Sequence, residues 1–224
     1  KDAQERLYTP KIEKLSLEFQ SLLRTVIFIS GVFSSQGRTG PKYQARLHFF
    51  AGKPFVRCDF TLHNPNAAWH KQGRWDLGDP NSLYVKDLGL KLYMQERQSP
   101  GSQARLVPER PLESSFKAKQ SLSLYQDTSG GKNWNCQNHV NREGVVPVSF
   151  QGYSVHRDGE RILQGRRADP IIAAGDDAGL IWGGIRHFWQ NFPKALEFDS
   201  GCMALKVFPE YYNDVFELQP GEQK

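Results

Sequence analysis

Alternation of apolar and polar residues, interrupted at short intervals by turn residues, is the feature of this sequence that most restricts its fold. Residues 14–23 (KLSLEFQSLL) alternate, residues 24–33 (RTVIFISGVF) are rich in β-branched residues, and residues 43–64 resume the pattern across an AGKP turn. A period of two places successive side chains on opposite faces of a strand. These segments therefore predict an antiparallel meander with one buried face and one wetter face.

The same pattern recurs along the rest of the chain and predicts an all-β protein. Further strands are expected at residues 83–95 and 116–130, and a hairpin is expected around RDGE at residues 157–160. Residues 96–115 are polar, contain three prolines and predict a surface connection. We expect a large antiparallel β-sandwich, supersandwich-like with long decorated loops, in which residues 1–224 form a single domain.

Composition excludes several classes of protein. No apolar run approaches the ~18 residues of a membrane span. The net charge of +5 would suit nucleic acid, an anionic membrane face or an acidic polysaccharide. The 29 Lys and Arg residues are scattered, and no nucleic-acid-binding motif is present. We therefore expect no nucleic-acid partner and no membrane partner.

The three cysteines, Cys58, Cys136 and Cys202, are too few and too widely spaced for a disulfide framework. Cys136 and His139 have no second ligand pair at metal spacing, so buried structural thiols are the preferred interpretation over zinc. We expect no cofactor and no metal. The chain begins at Lys1 and stops after LQPGEQK, which favours a segment of a longer polypeptide.

Three clusters combine aromatic rings with polar side chains: residues 69–80 (WHKQGRWDLGDP), 133–144 (NWNCQNHVNREG) and 185–194 (IRHFWQNFPK). Flat apolar faces beside planar polar groups suit sugar rings, which present C–H patches and many hydroxyls. In the first cluster, Asp76 and Asp79 are either turn residues or calcium ligands. In the second, the asparagines at 133, 135, 138 and 141 are either loop formers or binding groups.

The third cluster has two interpretations. Arg186 either grips a carboxylate or pairs with an aspartate such as Asp199, and His187 either transfers protons or sits in the core. If residues 182–190 are a strand, Arg186 and Gln190 share one face while His187 and Trp189 share the other. One of the two pairs should then be buried.

Several segments resemble the central β-sandwich domain of the rhamnogalacturonan exolyase and YetA-like family. They are residues 48–70 (HFFAGKPFVRCDFTLHNPNAAWH), 75–90 (WDLGDPNSLYVKDLGL), 138–144 (NHVNREG), 150–155 (FQGYSV), 186–198 (RHFWQNFPKALEF) and 216–224 (FELQPGEQK). The resemblance extends from about residue 12 to the end. It implies flanking domains in the same chain, a β-rich one before this sandwich and an α/α toroid after it.

The resemblance also implies a polysaccharide lyase that cleaves rhamnogalacturonan, an acidic pectin-type polysaccharide, by β-elimination. Candidate catalytic residues are Arg186 or Arg142 for the uronate carboxylate and His139 or His187 for proton transfer. Candidate substrate-binding residues are Asn138, Asn141, Gln190, Trp189, Lys194 and Trp75. A non-catalytic sugar-binding or inter-domain module and a glycoside hydrolase are the alternatives, and a polysaccharide-acting parent favours a secreted or periplasmic location.

Overall fold

A computed structural model describes residues 1–69, 77–93, 103–109, 115–118, 120–176 and 179–224. All its sheets are antiparallel, which confirms the predicted all-β sandwich class. The described residues contain one short 3-10 helix, Gln137–His139, and no helix long and apolar enough to cross a membrane. The chain divides into two compact units, residues 1–85 with 215–224 and residues 86–214. The single-domain prediction stays a prediction.

The first unit is built on a four-stranded meander in the order β1-β2-β3-β4. Its strands are β1 (Thr9–Gln20), β2 (Arg24–Ser35), β3 (Arg38–Phe50), β4 (Val56–His63), β5 (Leu83–Val85) and β16 (Phe216–Leu218). The final strand pairs with β5. The ELQPGEQK segment stabilises this unit, because Glu217 accepts hydrogen bonds from the Gly78 amide and the Ser82 hydroxyl, each at 2.7 Å.

The register of the meander collects apolar side chains on one face. Leu15, Ile29, Ala45 and Phe60 lie in one cross-strand row. A bulge in β1 leaves Glu13 out of the register, so Ile12 lies on the same face as Leu15. The prediction of a single buried face is wrong at the edge of the meander. Leu15 is 66% exposed, because alternation sets where a side chain points and only a packed neighbour removes it from water.

The second unit is a sandwich of two sheets. The six-stranded sheet has the order β11-β10-β9-β14-β15-β6 and the four-stranded sheet the order β13-β12-β7-β8. The strands are β6 (Leu88–Tyr93), β7 (Gln103–Val107), β8 (Phe116–Ala118), β9 (Ser121–Gln126), β10 (Tyr153–Arg157), β11 (Glu160–Gly165), β12 (Ile171–Asp176), β13 (Gly179–Gly183), β14 (Lys194–Asp199) and β15 (Cys202–Phe208).

The core of the sandwich is filled from both sheets. Leu124 and Leu196 of the six-stranded sheet and Leu106 and Ile172 of the four-stranded sheet are fully buried in one cluster. The surface connection predicted over residues 96–115 is therefore wrong in part. Strand β7 lies inside that range and pairs with β8 and β12, and alternate residues of this short strand reach the core although prolines follow it.

The connections of the second unit place the two conspicuous polar loops at one end. Gly165, Tyr153, Gln126 and Lys194 form a single row across β11, β10, β9 and β14. The chain leaves or enters the sheet at this row. The segments 127–152, 166–170 and 184–193 therefore all belong to the same end of the sandwich, which we call the loop end.

We expect Leu124→Ala to lower the free energy of unfolding by about 3 kcal/mol, because a fully buried leucine leaves a cavity between the sheets. Urea unfolding measures the loss. The matched control is Leu180→Ala on edge strand β13, where the side chain is 64% exposed and the expected change is within about 0.5 kcal/mol. Equal losses in the two variants would contradict this position of the core.

Candidate functional site

The loop end gathers nine of the ten residues that the sequence singles out. Eight lie in its loops and one at the start of β14: Asn138, His139, Asn141, Arg142, Arg186, His187, Trp189, Gln190 and Lys194. Antiparallel pairing brings these loops to one edge, because the loop 127–152 begins and ends beside the cross-strand row at Gln126 and the segment 184–193 enters that row at Lys194. The tenth, Trp75, lies outside the described residues, as do His70 and Asp76.

The condition that residues 182–190 form a strand is not met beyond Gly183, where β13 ends. Residues 186–191 form a turn, in which the Asn191 amide donates to the His187 carbonyl at 3.0 Å. His187 has a φ of 53°, in the left-handed region that histidine enters more readily than most residues. Because this segment is a turn, strand alternation does not force either Arg186 with Gln190 or His187 with Trp189 to be buried. Arg186, His187 and Gln190 are all exposed.

Buried Phe188, 1% exposed, anchors this turn in the core. Phe192 follows the turn and is joined to Pro193 by a cis peptide bond. Hydrophobic anchoring at Phe188 leaves the side chains on either side of it free to project outward. The third polar-aromatic cluster is thus a surface turn that is attached to the core by the side chain of Phe188.

The two polar loops touch through His139 and Phe192. Their ring centroids are 5.4 Å apart with an interplanar angle of 77°, an edge-to-face contact. His139 is half-buried and lies in the single turn of 3-10 helix. This contact joins the segment around NHVNREG to the segment around RHFWQNF, as a shared site requires.

A second contact covers the ring of Trp189. The Arg167 guanidinium lies 4.3 Å from the ring centroid, and its Nε donates to the Ser129 carbonyl at 3.3 Å. A cation over an indole face is attractive by about 0.5–1 kcal/mol at an exposed position. Arg167 therefore covers one face of the Trp189 ring. A sugar could stack only on the part of the ring that remains exposed.

Asn141 and Arg142 form a small network with Asp214. The Asn141 amide donates to Asp214 Oδ2 at 2.7 Å, and Arg142 Nη1 lies 3.2 Å from Oδ1. Asn141 Oδ1 also accepts from the Glu143 and Val145 amides. These bonds close the loop, so the loop-forming interpretation of Asn141 has direct structural support.

Lys194 is 8% exposed, and its Nζ donates to the Val207 carbonyl at 2.9 Å and lies 5.7 Å from the Phe208 ring centroid. Lys194 therefore has a structural role, which its position in a polar-aromatic motif did not indicate. Its assigned role in substrate binding remains a prediction.

A buried polar tripeptide, residues 126–128, is the main feature that the sequence analysis did not predict. Asp127 accepts hydrogen bonds from the Tyr125 hydroxyl at 2.5 Å and from the Ser149 and Phe150 amides. Burial and the adjacent carboxylate raise the pKa of Tyr125 well above its ordinary value. Gln126 binds the Thr128 and Arg166 carbonyls. The only sequence signal was a polar run, QDT, directly after an apolar strand.

A second missed group is Glu197, on the outer face of β14. The Tyr211 hydroxyl donates to its Oε1 at 2.7 Å. Burial raises the pKa of Glu197 above its ordinary value of 4.5, opposed by Tyr211 and Lys206 and assisted by Asp87 and Glu210. Lys206 is itself held by Asp87 at 2.7 Å. Glu197 is thus a carboxyl group whose neutral form the fold favours.

The remaining predicted positions have structural roles or different environments. Asp79 is buried and accepts from the Trp69 and Asn81 amides, which supports the turn interpretation over calcium. Among the described residues, no group of three or more potential His, Cys, Asp or Glu ligands comes together. The prediction of buried thiols is wrong at Cys58, which is exposed, although all three cysteines are free.

In comparisons with known proteins, no family model and no curated protein matches this chain. The resemblance to the lyase family therefore stays a prediction.

The raised pKa of Glu197 makes stability depend on pH. Folding favours the neutral acid, so its contribution is full below pH 4.5 and is lost as pH rises through the folded-state pKa. Glu197→Gln keeps an acceptor for Tyr211 and cannot ionise. We expect the free energy of unfolding of the wild type to fall relative to this variant between pH 4 and pH 7, measured by urea unfolding. Exposed Glu160→Gln is the control, and an unchanged difference at the two pH values would refute the burial argument.

Proposed function

We propose that this chain is the β-sandwich part of a polysaccharide lyase that cleaves rhamnogalacturonan by β-elimination. The observation that carries the proposal is the contact between His139 and Phe192, which unites the two loops that most resemble the lyase family. The exposed side chains of Arg186, His187 and Gln190 project from the same turn. A cation, a titratable ring and an amide thus share one short surface segment.

Elimination at a uronate needs three operations, and the turn offers groups for two of them. A guanidinium neutralises the carboxylate and thereby acidifies the C5 proton. An imidazole removes that proton, the electrons form the C4–C5 double bond and the bond from C4 to the glycosidic oxygen breaks. The departing oxygen then takes a proton from water.

The contacts of the loop end favour particular assignments among the alternatives. Asp214 already engages Arg142 at 3.2 Å, whereas Arg186 is exposed, so we assign carboxylate binding to Arg186. The ring of His139 packs against Phe192, so we assign proton transfer to exposed His187. Gln190 lies on the same turn and is assigned to a sugar hydroxyl.

A sugar-binding module without catalysis is the second candidate function. It is favoured by the structural use of Asn141, Arg142 and Lys194, which leaves fewer groups for chemistry. A glycoside hydrolase would need two carboxyl groups flanking the scissile bond. Asp79 does not offer one, because backbone amides occupy its oxygens.

The test is incubation of the chain with rhamnogalacturonan while following the ultraviolet absorbance of unsaturated uronate. We expect His187→Asn to lower the rate by about 10²–10⁴-fold, the usual contribution of a general base. Asparagine tolerates a positive φ, so the turn should persist. Arg186→Gln should lower the rate by about 10²-fold.

The matched control is Arg161→Gln, an exposed arginine near the start of β11 and away from the loop end, which should leave the rate unchanged. Reducing ends without absorbance would replace elimination by hydrolysis. Saturable binding without either product would support the module. Full elimination activity in both turn variants would overturn the assignments of Arg186 and His187.

A further inference from the structure

The outer face of the four-stranded sheet in the second unit exposes a tryptophan beside basic residues. Ala104, Leu106, Ile172 and Ala174 point into the core. Because side chains alternate along a strand, the intervening residues of β7 and β12 point outward. We call the surface formed by Gln103, Arg105, Ala173, Gly175, Leu180 and Trp182 the outer groove.

Strand register gives the outer groove a floor and two walls. One row runs Trp182, Ala173, Arg105, Lys117, and the neighbouring row runs Leu180, Gly175, Gln103. With strands about 4.8 Å apart, the backbones of Trp182 and Arg105 are separated by about 10 Å. Strand β12 contributes only the methyl group of Ala173 and the bare backbone of Gly175 between them.

The backbone at position 175 excludes any residue larger than glycine from that part of the floor of the outer groove. Gly175 has a φ of 157°, and a Cβ there would collide with the carbonyl oxygen of Gly179 across the hairpin. A side chain at this position would therefore disturb the pairing of β12 with β13.

Both walls are open to solvent. Trp182 is 55% exposed and Leu180 is 64% exposed on edge strand β13, and Gln103, Arg105 and Lys117 are exposed across the floor. Leaving an indole in water forgoes about 1.5–3 kcal/mol of burial typical of a large apolar side chain. Trp182 and Leu180 lie two residues apart on one face, and contiguous apolar surface rimmed by polar groups is characteristic of binding surfaces.

We propose that the outer groove binds an oligosaccharide that contains uronate residues. Trp182 stacks on the C–H face of one ring, and Arg105 forms a bidentate pair with a carboxylate across the floor. Lys117 extends the positive charge along the same row, and Gln103 supplies an amide for hydroxyls. The choice of galacturonate as the uronate rests on the function proposed above, whereas the groove itself is separate from the loop end.

The geometry favours a sugar over other polymers. Single-stranded nucleic acid is held by successive aromatic platforms, and the outer groove offers one indole. An apolar peptide in the outer groove would remove water from the Arg105 guanidinium and offer it no charged partner, which is unfavourable. One aromatic wall and one basic wall across a small floor match a ring that has an apolar face and an acid group.

Calorimetric titration of the chain with oligogalacturonate tests the proposal, with neutral galactan oligosaccharide and a single-stranded oligonucleotide as comparison ligands. We expect Trp182→Ala to weaken oligogalacturonate binding by at least about tenfold, the loss typical of a central aromatic contact. Arg105→Gln should weaken oligogalacturonate binding and leave any neutral-oligosaccharide binding unchanged. Both positions are exposed, so the fold should survive.

Matched controls are Trp69→Ala, which removes a similarly exposed indole (63% against 55% for Trp182) from the first unit, and Arg161→Gln on the other sheet of the sandwich. Neither should change oligogalacturonate affinity. Unchanged affinity in both Trp182→Ala and Arg105→Gln would overturn the proposal. Tighter binding of the oligonucleotide than of oligogalacturonate would also overturn it.

Failure here is distinguishable from failure of the proposed lyase. If Trp182→Ala changes binding while Arg186→Gln and His187→Asn leave it unchanged, the outer groove is supported whether or not elimination occurs. If Arg186→Gln and His187→Asn abolish elimination while Trp182→Ala changes neither binding nor turnover, the lyase stands and the outer groove does not.

Discussion

Hydrogen bonds of a buried polar tripeptide, Gln126, Asp127 and Thr128, hold the loop end together. All three residues are fully buried at the point where β9 leaves the sheet. A buried polar group without a partner costs about 1–3 kcal/mol, so each must find one. They find partners in the loops themselves, because β9 is an inner strand with neighbours already on both sides.

The partners show how one tripeptide fixes two loops. Gln126 donates to the Arg166 carbonyl and accepts from the Ala168 amide, which ties the connection from β11 to β12. Asp127 and Thr128 bind Phe150 through its amide and its carbonyl, respectively, which closes the long loop from 127 to 152. Gly152 completes the closure, since any Cβ there would meet the Gly165 carbonyl. Arg167 lies between the two residues that Gln126 binds, so these bonds fix the position of its backbone.

The sequence predicted the positions of the strands better than it predicted the conformation of the loops and the burial of side chains. Alternation located the meander and the RDGE hairpin, where Asp158 and Gly159 have the positive φ values of a two-residue turn. It failed at residues 186–191, because Phe188 marks a single anchor rather than a repeating face. It also failed for Leu15, because exposure depends on packing partners that local patterns do not encode.

The same limit explains why residue type alone misjudged the candidate site. Arg142 and Arg186 are indistinguishable as letters in polar-aromatic motifs. The fold brings Asp214 to one and leaves the other on an exposed turn. Lys194 was likewise grouped with binding residues, yet the strand pairing that begins at it places its ammonium group on a backbone carbonyl. Partners brought together by topology decide whether a charge is structural or available.

Strand β13 links the two proposed binding surfaces through the chain itself. Trp182 lies one residue before the end of β13, and Arg186 follows four residues later on the turn of the loop end. An extended polysaccharide lying along β12 would therefore leave the outer groove in the direction of that turn. Binding far from the reacting bond is one means by which an enzyme orients a long substrate, since it restricts the chain before chemistry begins. Under the two proposals, the exposed Trp182 and the exposed Arg186 would bind one polysaccharide at two separate sites.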